Sequence, residues 1–283
     1  MKIAISAEST VDLPKELLEK YDIKTLPFTL TLGDKTGFDG EIQPEELFEY
    51  TDRTGQLPKT SAINVYQYEE HFKKILSEGY DAIVHFALSS GISSACSNAI
   101  HASKSFDNVF IVDTKSLSTG IALLAINARK NVDKGMDVKA VYEEALKRVP
   151  AVQASFSLES VNYLYKGGRC SMLSFLGANL LKIKPEIYVH TDTGTMSAGK
   201  KFRGPMKKVV LDYVDDTLQR FNTPDKSIAF ITYSSAPDEV VAAVREKLEK
   251  AGFKEILATK AGATISCHCG PHCLGILYIN DGK

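Results

Sequence analysis

The sequence lacks a long apolar run. Its longest uninterrupted one is IALLAI, residues 121–126, far short of the ~20 residues that cross a bilayer as a helix, so no membrane span is expected. It lacks an excess of charge of either sign: 34 Lys and Arg stand against 35 Asp and Glu, for a net charge of -1. Nucleic-acid binding needs a basic face that displaces phosphate counterions. The densest basic group, GKKFRGPMKK at 199–208, reads as a solvated loop and helix start, so nucleic acid is not expected as a partner. Cysteine is scarce, with five residues in no regular framework. That excludes a disulfide-built scaffold and fits reduced thiols. The opening MKIAISAEST carries Glu8 where a secretory signal needs an apolar core, and a cytoplasmic protein is expected. Repeats at solenoid periods and low-complexity tracts are also missing.

What is present is an alternation of strand-length apolar runs with helical spacing. KIAIS (2–6) precedes DLPKELLEKY, where Asp12 can cap a helix and Pro14 sits in its first turn. IKTLPFTLTL (23–32) alternates as a strand, and QPEELFEYT and NVYQYEEHFKKILSEG have helical spacing. DAIVHFAL (81–88) and NVFIVDT (108–114) read as buried strands, each followed by a helix. Such alternation argues for a mainly parallel sheet covered by helices. After KRVPA (147–151) the pattern changes to strand, short helix, strand pair, amphipathic helix, then further strands and a closing hairpin. The expectation is α/β in two domains: residues 1–150 with a mainly parallel sheet flanked by helices, and residues 151–283 with a mixed sheet and helices.

Four stretches carry chemistry. In ALSSGISSACSNA (87–99) a buried strand turns into a helix through Ser89, Ser90, Ser93 and Ser94. Loops at the carboxyl ends of parallel strands line ligand crevices, and free N–H groups at a helix start favour an anion; plain capping by serine is the alternative. In LPKTSAIN (57–64), Thr60 and Ser61 precede a helix and alone read as a capping pair. In YKGGRCSM (165–172) a Gly-Gly pair permits unusual backbone angles. The following Arg169 could hold a carboxylate or phosphate through two N–H groups, or could be a surface residue after a helix end. The fourth, AGATISCHCGPHCLG, packs Cys267, His268, Cys269, His272 and Cys273 together. Cys267, Cys269, His272 and Cys273 suffice for tetrahedral zinc. Alternatively, 263–268 is a strand with Ile265, Cys267 and Cys269 turned to the core, and Ser266 and His268 on the other face.

Together these stretches resemble, in order and over the whole length, the DegV family of bacterial lipid-binding proteins, which includes the fatty-acid-binding subunits of fatty acid kinase. AESTVDLP resembles D-S-T-x-D-L/V-P, KTSAIN resembles K-T-S-Q-P, and LSSGISSACSNA resembles L-S-S-x-L-S-G-T-Y-x-S-A. VFIVDTKSLSTG is similar to the family's V-x-V-D-T/S strand. YLYKGGRCSM is similar to Y-L-x-K-G-G-R-I/V-S, GANLLKIKPEI to G-x-L-L-x-I-K-P-I/V, GKKFRG to K-x-R-G, and CHCGPHCLG to T-H-x-G-P-G-x-x-G. The resemblance implies two α/β domains and one buried long-chain fatty acid. It implies that Thr60, with Ser61 beside it, and Ser93 hold the carboxylate, with Arg169 and His268 near the head group. It implies a carrier without catalysis of its own or a cofactor, presenting the carboxylate to a separate ATP-dependent kinase for acyl phosphate formation. Apolar lining could come from SFLGANLLKI, Ile92 or Phe86.

This chain departs from the pattern at Glu8 (aspartate in the family), at SSA for S-G-T, at SAIN, at Met172 and at His272. Ser94 and His272 could crowd or polarise the pocket mouth. Two other readings stay open: a Ser–His hydrolase using Ser93 and His268, and a zinc- or redox-responsive regulator using the Cys267–Cys273 cluster.

Overall fold

Strands β1 (Ile3–Glu8), β2 (Ile23–Leu26), β6 (Ala82–Ala87) and β7 (Val109–Asp113) form a parallel sheet in the order β2-β1-β6-β7. The structure, a computed structural model, describes residues 1–169 and 183–282. Every residue of β1 and β6 is buried, as expected of parallel strands covered on both faces. Helices α3 (Val65–Ser77), α4 (Ala95–Ser103), α5 (Thr119–Asp133) and α6 (Val138–Arg148) cover this sheet. Strand order reverses between β1 and β6, so the loops leaving their carboxyl ends diverge and open a crevice there.

The second sheet is mixed and six-stranded, in the order β10-β9-β8-β13-β11-β12. Its strands are β8 (Val152–Ser157), β9 (Lys184–Val189), β10 (Met196–Phe202), β11 (Ile228–Tyr233), β12 (Glu255–Lys260) and β13 (Leu274–Ile279). Only β11 and β12 run parallel; the other neighbours are antiparallel. Side chains alternate across it. Leu274, Ile276 and Tyr278 join a core under α8 (Met206–Arg220) and α9 (Asp238–Lys250), while Leu277 and Ile279 face the other core.

That other core is shared by both sheets, and α5 lies in it. Ten of its fifteen residues are buried, since it packs on β1 and β6 on one side and on β8 and β13 on the other. A helix apolar all round is what such a position demands. Gly120 permits the approach: a Cβ there would meet Ser116 Oγ at 2.1 Å and Val152 Cγ1 at 3.3 Å. The parallel sheet falls before residue 150 and the mixed sheet after it. We propose that the division at residue 150 is one between layers rather than between separate cores, which a chain ended at residue 150 tests by failing to fold.

A third sheet, β4-β3-β5, is antiparallel and built from β3 (Thr29–Leu32), β4 (Lys35–Phe38) and β5 (Lys59–Ser61). It packs with α2 (Pro44–Thr54) and α10 (Ala263–Cys269) around Leu30, Leu32, Ile42, Leu47, Ala263 and Cys267. Two short helices, α1 (Lys15–Lys20) and α7 (Asn162–Lys166), complete the elements used below.

Several sequence expectations are corrected. The run 23–32 is two strands in two different sheets, divided at Pro27, which offers no N–H to a ladder. Asp12 does not cap α1. It lies in left-handed backbone at φ 53, and its carboxylate is spent elsewhere in the fold. Thr60 and Ser61 do not cap α3 either; Asn64 does, in a reciprocal capping box with Gln67. Residues 263–269 form a helix, not a strand, and this helix crosses from β12 to β13, so no hairpin closes the chain.

Candidate functional site

The crevice at the reversal of strand order opens into a cavity with about 820 Å³ of space between its lining atoms, mouth included. The loop after β6 contributes Leu88, Ile92 and Ser93, and the loop after β7 contributes Leu117 and Ser118. The inner face of the mixed sheet supplies Phe156, Thr232, Gly275 and Leu277. Gly275 lies so close to the neighbouring strand that a Cβ would meet Ser155 O at 2.5 Å, so this part of the wall is bare backbone.

Four of the five expected site residues line this one cavity: Thr60, Ser93, Arg169 and His268. Each arrives on a different element. Thr60 sits on β5, paired with Leu30; alternation along the strand turns Ser61 the other way, exposed and off the lining. Thr60 Oγ1 and His268 Nε2 are 2.9 Å apart, joining residues 208 positions apart. Ser93 Oγ accepts the Ala95 N–H at 3.1 Å, which leaves its own hydroxyl proton free for a ligand.

Arg169 comes in on the turn after α7. Its backbone N–H donates to Leu164 O, and its Nη1 donates to Gly167 O at 2.7 Å. Gly168 takes a φ of +70. At Gly167 a Cβ would meet His268 Nδ1 at 2.9 Å, so the Gly-Gly pair is what lets the arginine turn pass against the histidine. Burial, and then the Arg169 charge, push the His268 pKa down to about 4. The imidazole is therefore neutral at neutral pH, with Nδ1 buried and unpartnered among the described residues.

Helix α10 is held from afar. Its first free N–H groups go to two aspartate side chains of the N-terminal half: Gly262 N–H donates to Asp12 Oδ1 at 2.8 Å, Ala263 N–H to Asp39 Oδ1 at 2.8 Å, and Thr264 N–H to Asp39 Oδ2 at 3.3 Å. A seven-residue helix is marginal by propensity alone, and these acceptors satisfy its orphan donors. This is why 263–269 reads as a strand locally and folds as a helix. Asp12 and Asp39 thus position His268, and no local signal in the sequence marks either for that role.

Asp12 also shares a hydrogen bond with Ser118 on the cavity wall. Burial pushes its pKa up to about 8, against the hydrogen bonds from Ser118 and Gly262, and the nearby Asp39 adds to the rise. The folded protein keeps this proton where the unfolded chain, at about 3.8, has lost it. Its contribution to stability is full below about 3.8 and is lost as pH rises through about 8. Asp12→Asn preserves the shape without the titration, so the melting temperature of the wild type should fall relative to this variant between those two pH values. Parallel melting curves across that range would refute the assignment.

Glu8 stands under the same crevice. It is wholly buried and accepts from Tyr68 OH at 2.6 Å and from the Leu88 N–H at 2.8 Å. It also faces His85 Nε2 at 3.3 Å. Its role is to anchor the loop that carries Ser93. The serines of that loop divide their work: Ser89 Oγ donates to Gly194 O at 2.7 Å, and Asp113 accepts from the Ser90 N–H. Only Ser93 faces the cavity.

The cysteine cluster separates. Cys267 is in the core with α2 and donates to Pro58 O, whereas Cys269 and Cys273 line the cavity. Burial raises the Cys267 thiol to about 12 and pushes that of Cys273 well up. His272 points outward, its Nε2 3.7 Å from Glu159 Oε2. Among the described residues no three His, Cys, Asp or Glu side chains are placed to hold a metal. Neither Ser94 nor His272 lines the mouth, and Phe86 is core; Ile92 is lining. Cys170, Met172 and nearly all of the SFLGANLLKI run lie outside the described residues. None of the described helices is long and apolar enough to cross a membrane.

The sequence profile of the DegV family, described as "Uncharacterised protein, DegV family", matches residues 2–281. A protein of Thermotoga maritima named fatty acid-binding protein is 30% identical over 283 residues, covering 97% of this chain and 96% of its own. A DegV lipid-binding protein from the same organism superimposes with a TM-score of 0.85 at 28% identity, over 99% of this chain and 98% of its own. A fatty-acid-binding DegV family protein of Thermus thermophilus reaches a TM-score of 0.88 at 24% identity over 99% of both chains; at that identity it speaks for the fold alone.

Proposed function

Because the chain belongs to the DegV family, we propose that it binds a long-chain fatty acid, with the acyl chain in the cavity and the carboxylate among Thr60, Ser93, Arg169 and His268. The observation that carries this reading is the distribution of charge on the wall. Arg169 is the one permanently charged side chain among the described lining residues, and it lines the same cavity as Thr60 and Ser93. The rest is largely apolar. A buried carboxylate needs a partner and hydrogen bonds, while each buried methylene contributes about 0.8 kcal/mol, so a long chain gains roughly 10 kcal/mol before the cost of association.

The same geometry speaks against the hydrolase reading. His268 Nε2 is engaged by Thr60, and Ser93 Oγ accepts a backbone N–H, so Ser93 and His268 are bonded to other groups and not to each other. We read the protein as a cytoplasmic carrier without catalysis of its own. Presentation of the carboxylate to a separate ATP-dependent kinase rests on the family resemblance. Loaded protein with ATP alone should give no hydroxylamine-trappable acyl phosphate, and should give it once a fatty acid kinase subunit is added.

The direct test is native mass spectrometry of the purified protein, followed by denaturation and identification of what is released. One fatty acid per chain is the expected result. Protein that carries no acyl chain and binds none when offered one overturns the reading.

A further inference from the structure

The turn between β9 and β10, residues 190–195, does not line the cavity, yet it touches the loop that carries Ser93. The turn is closed on itself: Gly194 N–H donates to His190 O at 2.6 Å, and His190 N–H to Thr195 O at 2.9 Å. Where it meets the loop after β6, backbone lies against backbone. A Cβ at Gly91 would meet Gly194 C at 2.5 Å and Thr193 O at 2.6 Å, and one at Gly194 would meet Ser89 Oγ at 2.0 Å. Glycine on both sides is what lets the segments approach this closely. Ser89 fastens them: it is wholly buried, and its Oγ donates to Gly194 O at 2.7 Å.

Ser89 is also the hub of its own loop. Its N–H donates to Ser116 O at 3.0 Å, and its Oγ accepts the Gly91 N–H at 3.1 Å. Its carbonyl oxygen accepts the N–H groups of Ile92 and Ser93, each at 3.2 Å. One residue thus stands between Gly194 and the backbone of Ser93. The two layers are already joined along α5, and Asp192, Thr193 and Thr195 of the turn are exposed, so the sheets do not need this contact to stay together. A binding group, by contrast, must be held to within about 0.5 Å to be useful.

We propose that the β9–β10 turn positions Ser93 for the ligand carboxylate, acting through Gly194 and Ser89. Neither of these two lines the cavity, so both are positioning residues. The inference rests on the fatty-acid reading above. It adds that the head-group end is set by a segment of the mixed sheet as well as by the loop of the parallel one.

The test is a double-mutant cycle, read by calorimetric titration of delipidated protein with hexadecanoic acid. Ser93→Ala should weaken binding about tenfold, as the loss of one hydrogen bond to a charged group allows. Gly194→Ala, shown to be folded by its melting curve, should weaken it to a similar degree. Added to Ser93→Ala it should cost less than about twofold more, because a turn that acts through Ser93 then has nothing left to place. Where Gly194→Ala does not fold, Gly91→Ala presses on the same contact from the other side and decides on the same terms. Losses that multiply overturn the proposal; the turn would then act on the acyl chain through Met196, which follows it on β10 and lines the cavity. A folded Gly194→Ala that binds as tightly as the wild type overturns it too, as does Ser93→Ala without loss. Failure of both glycine variants to fold makes the contact a structural one and has the same consequence. Wild-type protein that binds no long-chain acid overturns the fatty-acid reading instead.

Discussion

Replacing Arg169 by glutamine should weaken fatty-acid binding by roughly a hundredfold. The head-group end has no second positive charge among its described residues. His268 sits beside the guanidinium, and burial together with that charge holds its pKa near 4, so the imidazole contributes hydrogen bonds but no charge at neutral pH. A carboxylate brought into this site without Arg169 is left with neutral hydrogen-bond partners and no opposite charge. Removing one partner of a fully buried pair costs about 3–5 kcal/mol; Arg169 is only partly buried, which places the loss at or below the low end, near two factors of ten. Titration calorimetry with a long-chain acid measures it, and a melting curve close to that of the wild type separates lost binding from lost folding. A loss below threefold would mean that Thr60 and Ser93 hold the carboxylate without help. Arg169→Lys should fall in between, because an ammonium keeps the charge but not the planar fork that also donates to Gly167 O.

Gly270→Ala should cost about 3 kcal/mol of stability, the sum of a strained backbone and a displaced ring. Gly270 ends α10 with φ 74 and ψ -177, a conformation open essentially to glycine alone. A Cβ there would also meet the Tyr163 ring at 2.5 Å. Tyr163 belongs to α7, and α7 leads directly into the Gly-Gly-Arg turn. The strain therefore falls on the two elements that carry His268 and Arg169, and fatty-acid affinity should drop along with stability. Urea unfolding of the ligand-free variant measures the first effect, and titration at a temperature where it is folded measures the second. A change under 1 kcal/mol would show that the ring yields freely and that the contact between α7 and α10 is loose.

Much of this protein follows from local pattern. The buried runs at 81–88 and 108–114, each leading into a helix, are β6 and β7 with α4 and α5 behind them. The strand pair around the turn at 190–195 and the amphipathic α8 read equally well. These elements are long or strongly periodic, and their neighbours in sequence are their neighbours in space. Thr60, Ser93, Arg169 and His268 came from the resemblance to a family, since each stretch alone is an ordinary cap or turn.

What the local pattern could not give has a common cause. The 263–269 segment is too short for its period to show, and it is helical because Asp12 and Asp39, more than 220 residues away, accept its first N–H groups. Asp12 reads as a cap for α1 because nothing nearby in sequence reveals that its two oxygens accept from Gly262 N–H and from Ser118. Ser61 and Thr60 differ only by the alternation of a three-residue strand whose register is set by Leu30 across the sheet. The split of the cysteines, with Cys267 in one core and Cys269 and Cys273 at the cavity, depends on helical rather than strand geometry at that point. The sequence by itself determined the class of fold and the family, and the family resemblance pointed to the residues proposed for the head group. Only the tertiary structure decided which residues line the cavity, because that rests on contacts between distant segments, to which local spacing is blind.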